Sequence, residues 1–182
     1  MKNILTLIIL ILIGFLIFIY SGIYNIAATK PHTKLVLWIM YTTMERSVKT
    51  HAKGINTPTL DESLVKTGFD HYSEMCEGCH GKPGLSPSEM KTGFYPEPPD
   101  LSKGMDEWSP AELFWIIKNG IKMSAMPAFD PNHKDEELWA IVAFLKRLPD
   151  LTPEEYREME KAAQGKPGEH GQSHEHSYMH DH

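Results

Sequence analysis

The chain has 182 residues, a formal net charge of -6, 41% hydrophobic residues and two cysteines. That length holds one modest domain with appendages. An acidic balance with no clustered Lys and Arg excludes nucleic acid as a partner, because phosphate binding needs concentrated positive charge.

No charged residue occurs from Asn3 to Thr29, and Ile4 to Tyr20 is almost unbroken Ile, Leu and Phe, interrupted only by Thr6 and Gly14. A bilayer takes about 20 such residues. A cleavable signal peptide is the rival, with Lys2 as its charged start, but its apolar run is roughly 7 to 15 residues. Here the apolar character persists through Ile23, Tyr24 and Ile26, with only Ala27 and Ala28 small. Residues 1–29 are therefore expected to be a retained transmembrane anchor.

Residues 30–58 predict an amphipathic connector helix. Pro31 breaks away from the anchor, and Leu37, Met40, Tyr41, Met44, Val48 and Ala52 then recur at spacings of three and four. Such a stripe packs on a neighbouring domain or lies in the headgroup zone, where Trp38 and Tyr41 suit it. The alternative is docking to a partner subunit. His51 lies on the same stripe and reads as a packed residue, not an iron ligand.

The next domain, 59–150, opens with a capped start at Thr59-Leu60-Asp61-Glu62, and Leu60, Leu64, Gly68, Phe69 and Tyr72 mark one face of a helix. That helix leads into Cys76-Glu77-Gly78-Cys79-His80, the C-x-x-C-H pattern of covalent haem c attachment. Two thiols add across two haem vinyl groups, and the histidine after the second thiol faces the iron. A zinc ribbon needs a second C-x-x-C, and a thioredoxin-like dithiol needs a βαβ context and no trailing histidine. Neither is present. Haem attachment happens outside the bacterial cytoplasmic membrane, so the amino terminus should lie inside and the domain on the periplasmic side; Lys2 against Lys30 and Lys34 is only weakly informative.

Gly81 to Glu107 is rich in Gly and Pro and reads as a long loop wrapped around something. Ser109-Pro110-Ala111-Glu112 is a full capping box, followed by Leu113, Phe114, Ile116 and Ile117 and a stop at Gly120. Beyond it lie Met123 and Met126, two thioethers able to close an axial position of a haem iron. Leu138, Trp139, Ile141, Val142, Phe144 and Leu145 form a last helix, Asp135 to Leu148, stopped by Pro149 and expected to cross the first at Gly68.

From about Leu60 to Pro149 the chain resembles a class I c-type cytochrome of the bacterial membrane-anchored monohaem kind. Three blocks carry the resemblance: Cys76 to Gly81, Pro99-Asp100-Leu101, and Asn119 to Phe129 running into Leu138 to Leu145. It implies an all-α fold around one covalent haem c, with thioether bonds at Cys76 and Cys79. His80 and Met126 would be the axial iron ligands, with the Pro99 carbonyl on the other nitrogen of His80. Pro127 agrees with Met126 over Met123, since it keeps the residue before it extended and out of a helix.

Residues 151–182 comprise a short charged helix from Thr152-Pro153-Glu154-Glu155 to about Gln164 and a tail with His170, His174, His176, His180 and His182. Such imidazoles suit Cu(II), Ni(II) or Zn(II), and a solvated tail binding metal adventitiously is an equal reading. The function expected is a membrane-anchored electron carrier, neither an enzyme nor a binder of small-molecule substrates. Its redox partners would be a donor dehydrogenase or quinol-oxidising complex and an acceptor oxidase or reductase. The alternative is the haem c subunit of a larger respiratory complex.

Overall fold

The computed structural model describes residues 2–85, 89–103 and 107–164. Among them every regular element is helical: α1 (Lys2–Tyr20), α2 (Lys34–His51), α3 (Glu62–Met75), α4 (Glu77–His80), α5 (Glu89–Thr92), α6 (Pro110–Asn119), α7 (Asp135–Arg147) with a 3₁₀ turn at Leu148–Asp150, and α8 (Pro153–Gln164). The five tail histidines, His170 to His182, lie outside the described residues.

At 1.5 Å per residue α1 is about 28 Å long, close to the thickness of a bilayer's hydrocarbon core. It buries no residue, and among the described residues it is the one helix long and apolar enough to cross a membrane. Beyond Lys2, Asn3 and Thr6 its surface is apolar and exposed on every side, which suits a lipid-facing span. The chain therefore carries a single membrane pass with the haem-motif domain outside.

The core forms where α3 and α7 cross. Asp61 caps α3 by accepting from the backbone N–H groups of Ser63 and Leu64 at 3.0 and 3.1 Å. The helix then buries Val65, Gly68, Phe69 and Tyr72 on one face. On α7 the run Leu138 and Ala140 to Leu145 is buried almost all round. The approach is closest at Gly68, where an added Cβ would stand 1.9 Å from the Ala140 carbonyl oxygen and 2.8 Å from Phe144 Cβ. Only a residue without a side chain permits that contact.

α6 packs on α7 from the other side. Its capping box is complete: Ser109 Oγ accepts from Glu112 N–H at 3.3 Å, and Glu112 Oε2 accepts from Ser109 N–H at 2.7 Å. Phe114 stacks on Trp139 with ring centroids 4.2 Å apart. α2 reaches α6 through its carboxyl half, where Val48 and Ala52 are buried and the His51 ring stacks on Trp115 at 5.5 Å. His51 Nδ1 donates to the Ser47 carbonyl at 2.8 Å, so this histidine is occupied within its own helix.

α8 joins the same core although it follows the proline at 149. Tyr156 is 1% exposed, edge-on to Phe69 at 5.2 Å and against Phe144 at 6.3 Å. Its hydroxyl donates to Glu77 Oε2 at 2.8 Å, and Lys82 bridges Glu77 and Glu160 at 2.7 and 2.6 Å. Those four side chains tie α8 to the turn that carries the two cysteines.

Candidate functional site

Cys76 ends α3 and starts the next turn at once. Its N–H donates to the Tyr72 carbonyl at 2.9 Å, while its own carbonyl accepts from Cys79 N–H at 3.1 Å and His80 N–H at 2.9 Å. One turn thus projects two thiols and an imidazole, the contiguity the C-x-x-C-H chemistry needs. Tyr72, fully buried, donates its hydroxyl to the Gly81 carbonyl at 2.6 Å and pins the far end of that turn. Burial holds the Tyr72 pKa well above the usual phenol value, with the nearby Cys76 and Glu77 adding to it, so the hydroxyl stays a donor. Both cysteines are free thiols. Burial pushes the Cys76 thiol up to about 12, and the neighbouring Cys79 adds to the shift.

His80 Nδ1 lies 2.8 Å from the Pro99 carbonyl oxygen. A carbonyl only accepts, so Nδ1 carries the proton, and the other ring nitrogen, Nε2, is left with a lone pair in the neutral imidazole. Burial lowers the pKa of this ring, with the charge of Lys91 acting in the same direction and the Pro99 hydrogen bond opposing both. The neutral, Nδ1-protonated state is the one that binds a metal through Nε2. Pro99 is positioned by the turn after it, in which Asp100 Oδ1 accepts from Ser102 N–H at 3.0 Å and from Ser102 Oγ at 2.6 Å.

Met126 is presented by a strap between α6 and α7. Gly120 ends α6 at φ 66, and a Cβ there would lie 2.6 to 2.8 Å from Pro127 C, Ala128 N and Met126 O. The strap is closed by Ile121 N–H donating to the Met126 carbonyl at 3.1 Å and Met126 N–H donating to Ser124 Oγ at 3.2 Å. Phe129 N–H and Asp130 N–H then return to the Ile117 and Lys118 carbonyls at 3.2 and 3.1 Å. Both backbone polar groups of Met126 are thus held, and its side chain is half-buried. Met123 has φ 61 and is 83% exposed.

The structure thus brings Cys76, Cys79, His80 and Pro99 into one cluster and fixes Met126 on a rigid strap of its own. Sequence reasoning missed three groups. Tyr72 lies on the packing face of α3, and nothing in the sequence pattern marks its hydroxyl. Lys91, 5% exposed with Glu97 at 3.7 Å, lies on α5 within the stretch read as loop. Tyr156 had a signal, since Tyr156, Met159 and Ala163 recur at helical spacing on α8. Among the described residues no group of three or more His, Cys, Asp or Glu is placed to hold a metal ion.

The donor set fits a covalently held haem c: two unpaired thiols one turn apart, a neutral imidazole with its second nitrogen free, and a thioether on a fixed strap. An all-α core of crossed helices behind an apolar N-terminal helix, with this motif at the end of α3, is a class-I-like c-type cytochrome fold, and it supports a haem c electron-transfer role. A family model described as "Cytochrome C oxidase, cbb3-type, subunit III" matches residues 63–145, spanning α3 almost to the end of α7 and leaving α1, α2 and α8 outside. No curated protein and no solved structure matches the chain.

Proposed function

We propose that the chain is the haem c subunit of a membrane-bound respiratory oxidase complex, delivering single electrons at the outer face of the cytoplasmic membrane. The observation that carries this reading is the match of residues 63–145 to an oxidase-subunit model. A free carrier, the reading the sequence favoured, keeps one point in its support: the sequence holds a single C-x-x-C-H, and Cys76 and Cys79 are its only cysteines.

In either setting haem c, when bound, supplies a one-electron couple at its iron. Cys76 and Cys79 would hold the group covalently through two thioethers, so one haem is proposed per chain. His80 offers Nε2 to the iron, and the Pro99 carbonyl fixes the ring's tautomer, orientation and basicity. Met126 would supply a thioether to the iron, a ligand that raises the potential. Residues 1–29 anchor the chain, residues 30–58 connect it, and the haem domain follows. The tail histidines His170, His174, His176, His180 and His182 are proposed as a separate Cu, Zn or Ni ligand set.

Solubilisation of membranes in mild detergent, then native electrophoresis with haem staining, separates the two readings. A subunit is expected to stain in a band several times heavier than the 20.7 kDa chain and to coincide there with oxidase activity. Staining at the mass of the detergent-bound chain alone would favour the free carrier.

A further inference from the structure

α2 carries apolar residues on two opposite faces, and the haem domain uses one of them. Val36, Leu37, Met40, Met44 and Val48 are half-buried or buried and share the inward side. Leu35, Trp38 and Ile39 point the other way and are 64%, 64% and 48% exposed. At 100° per residue these three share one stripe, which continues through Thr42 to Arg46, so its apolar part is confined to the amino-terminal half. That half follows closely on α1, through a linker whose Ile23 and Ile26 are 77% and 89% exposed.

The linker is also tied down. His32 N–H donates to the Tyr95 hydroxyl at 3.1 Å, the His32 and Tyr95 rings meet edge-on at 5.2 Å, and Tyr24 Oη lies 2.6 Å from His32 Nδ1. The segment leaving the anchor is therefore held to the haem domain twice, at Tyr95 and along α6, while its outer face stays apolar.

We infer that α2 is an interfacial helix: Leu35, Trp38 and Ile39 seat in the headgroup zone of the same bilayer that α1 crosses, and the opposite face of the helix clamps the haem domain at a fixed attitude on that membrane. The occupant is lipid because the face follows the lipid-facing α1 after a short linker that itself exposes Ile23 and Ile26, with Lys30 and Lys34 between them and Leu35. An indole is also the side chain best suited to the boundary between acyl chains and water. Exposed Lys34, at the start of the helix, is placed to meet anionic headgroups. The inference rests on α1 spanning the membrane.

The test uses the full-length haem-loaded chain in vesicles of phosphatidylethanolamine and phosphatidylglycerol. With Cys76 and Cys79 consumed by haem, an introduced cysteine is the one site for a spin label, and the unsubstituted protein serves as the unlabelled control. Labels at Leu35→Cys and Ile39→Cys are expected to collide with oxygen, relative to a water-soluble nickel chelate, several-fold more than a label at Glu158→Cys on the exposed side of α8. They should approach a label at Phe15→Cys inside α1. An unchanged haem spectrum shows that each variant is folded, and agreement between positions 35 and 39 guards against a local effect of either substitution. Labels at 35 and 39 that behave like 158 would overturn the inference and leave a solvated helix. Labels shielded from both reagents would overturn it in favour of a protein covering that face. In both cases an oxygen-rich label at 15 shows that the anchor still stands, whereas a water-exposed label at 15 removes the anchor and the inference together.

Discussion

Met126→Ala is expected to abolish the long-wavelength charge-transfer band of the oxidised protein, a band that needs sulfur bound to ferric iron, and to let the reduced protein bind carbon monoxide. The midpoint potential should fall by on the order of 0.1 V, a modest part of the ~0.8 V that axial ligation spans. Met123→Leu, which conserves volume, should leave all three properties unchanged. The backbone separates the two methionines. Met126 has its carbonyl and N–H both held within the strap, by Ile121 and Ser124, and Gly120 packs directly against the following peptide. Met123 is at a positive φ of 61 with 83% of its surface in solvent, so its side chain points away from the packed domain. Optical titration of the two variants against the parent decides the matter. Loss of the band in Met123→Leu with its survival in Met126→Ala would reverse the assignment.

Gly68→Ala should cost the haem domain about 3 kcal/mol or more, at or above the upper end of ordinary overpacking. Alanine has an intrinsic helix preference over glycine of about 1 kcal/mol, which opposes the effect and makes its sign informative. The added methyl would lie 1.9 Å from the Ala140 carbonyl oxygen, which belongs to backbone held in the middle of α7 and has no rotamer into which to retreat. Relief requires α3 and α7 to separate, which loosens Phe69, Tyr72 and Phe144 together. Thermal unfolding followed by circular dichroism should show a midpoint lower by more than about 10 °C, taking 4–8 °C per kcal/mol for a domain of this size. A shift within about 2 °C would mean that the two helices do not cross as closely as described.

Much of this architecture was legible because its causes are local. The capping groups Asp61, Ser109 and Glu112 announce helix starts within four residues of themselves, and the apolar spacing of Leu138 to Leu145 says that α7 is buried. A glycine within the apolar stripe of α3 implied a close neighbour, and the last helix was the partner long enough to provide it. The motif from Cys76 to His80 specified its own chemistry because that chemistry requires adjacency.

What escaped the sequence depends on contacts far apart along the chain. Tyr156 meets Glu77 across 79 positions, and no local pattern in a helix of Glu, Lys and Arg names that partner. Pro149 reads as a stop and does stop α7, yet the chain turns through Leu148–Asp150 and lays α8 back on the same core. The stripe on α2 was visible, but the second apolar face became apparent only once the first was seen to be occupied. Lys91 is buried by a short helix that the Gly- and Pro-rich composition around it concealed.

Every property proposed for this domain depends on one haem held covalently through Cys76 and Cys79. Acid-acetone extraction of the purified protein, followed by the reduced alkaline pyridine spectrum and the intact mass of the residue, tests it most directly. Colour is expected to stay with the polypeptide, the mass to exceed that of the chain by one haem, and Cys76→Ala with Cys79→Ala to release the haem to the solvent. Haem extracted from the parent protein, or a mass equal to that of the bare chain, would contradict it.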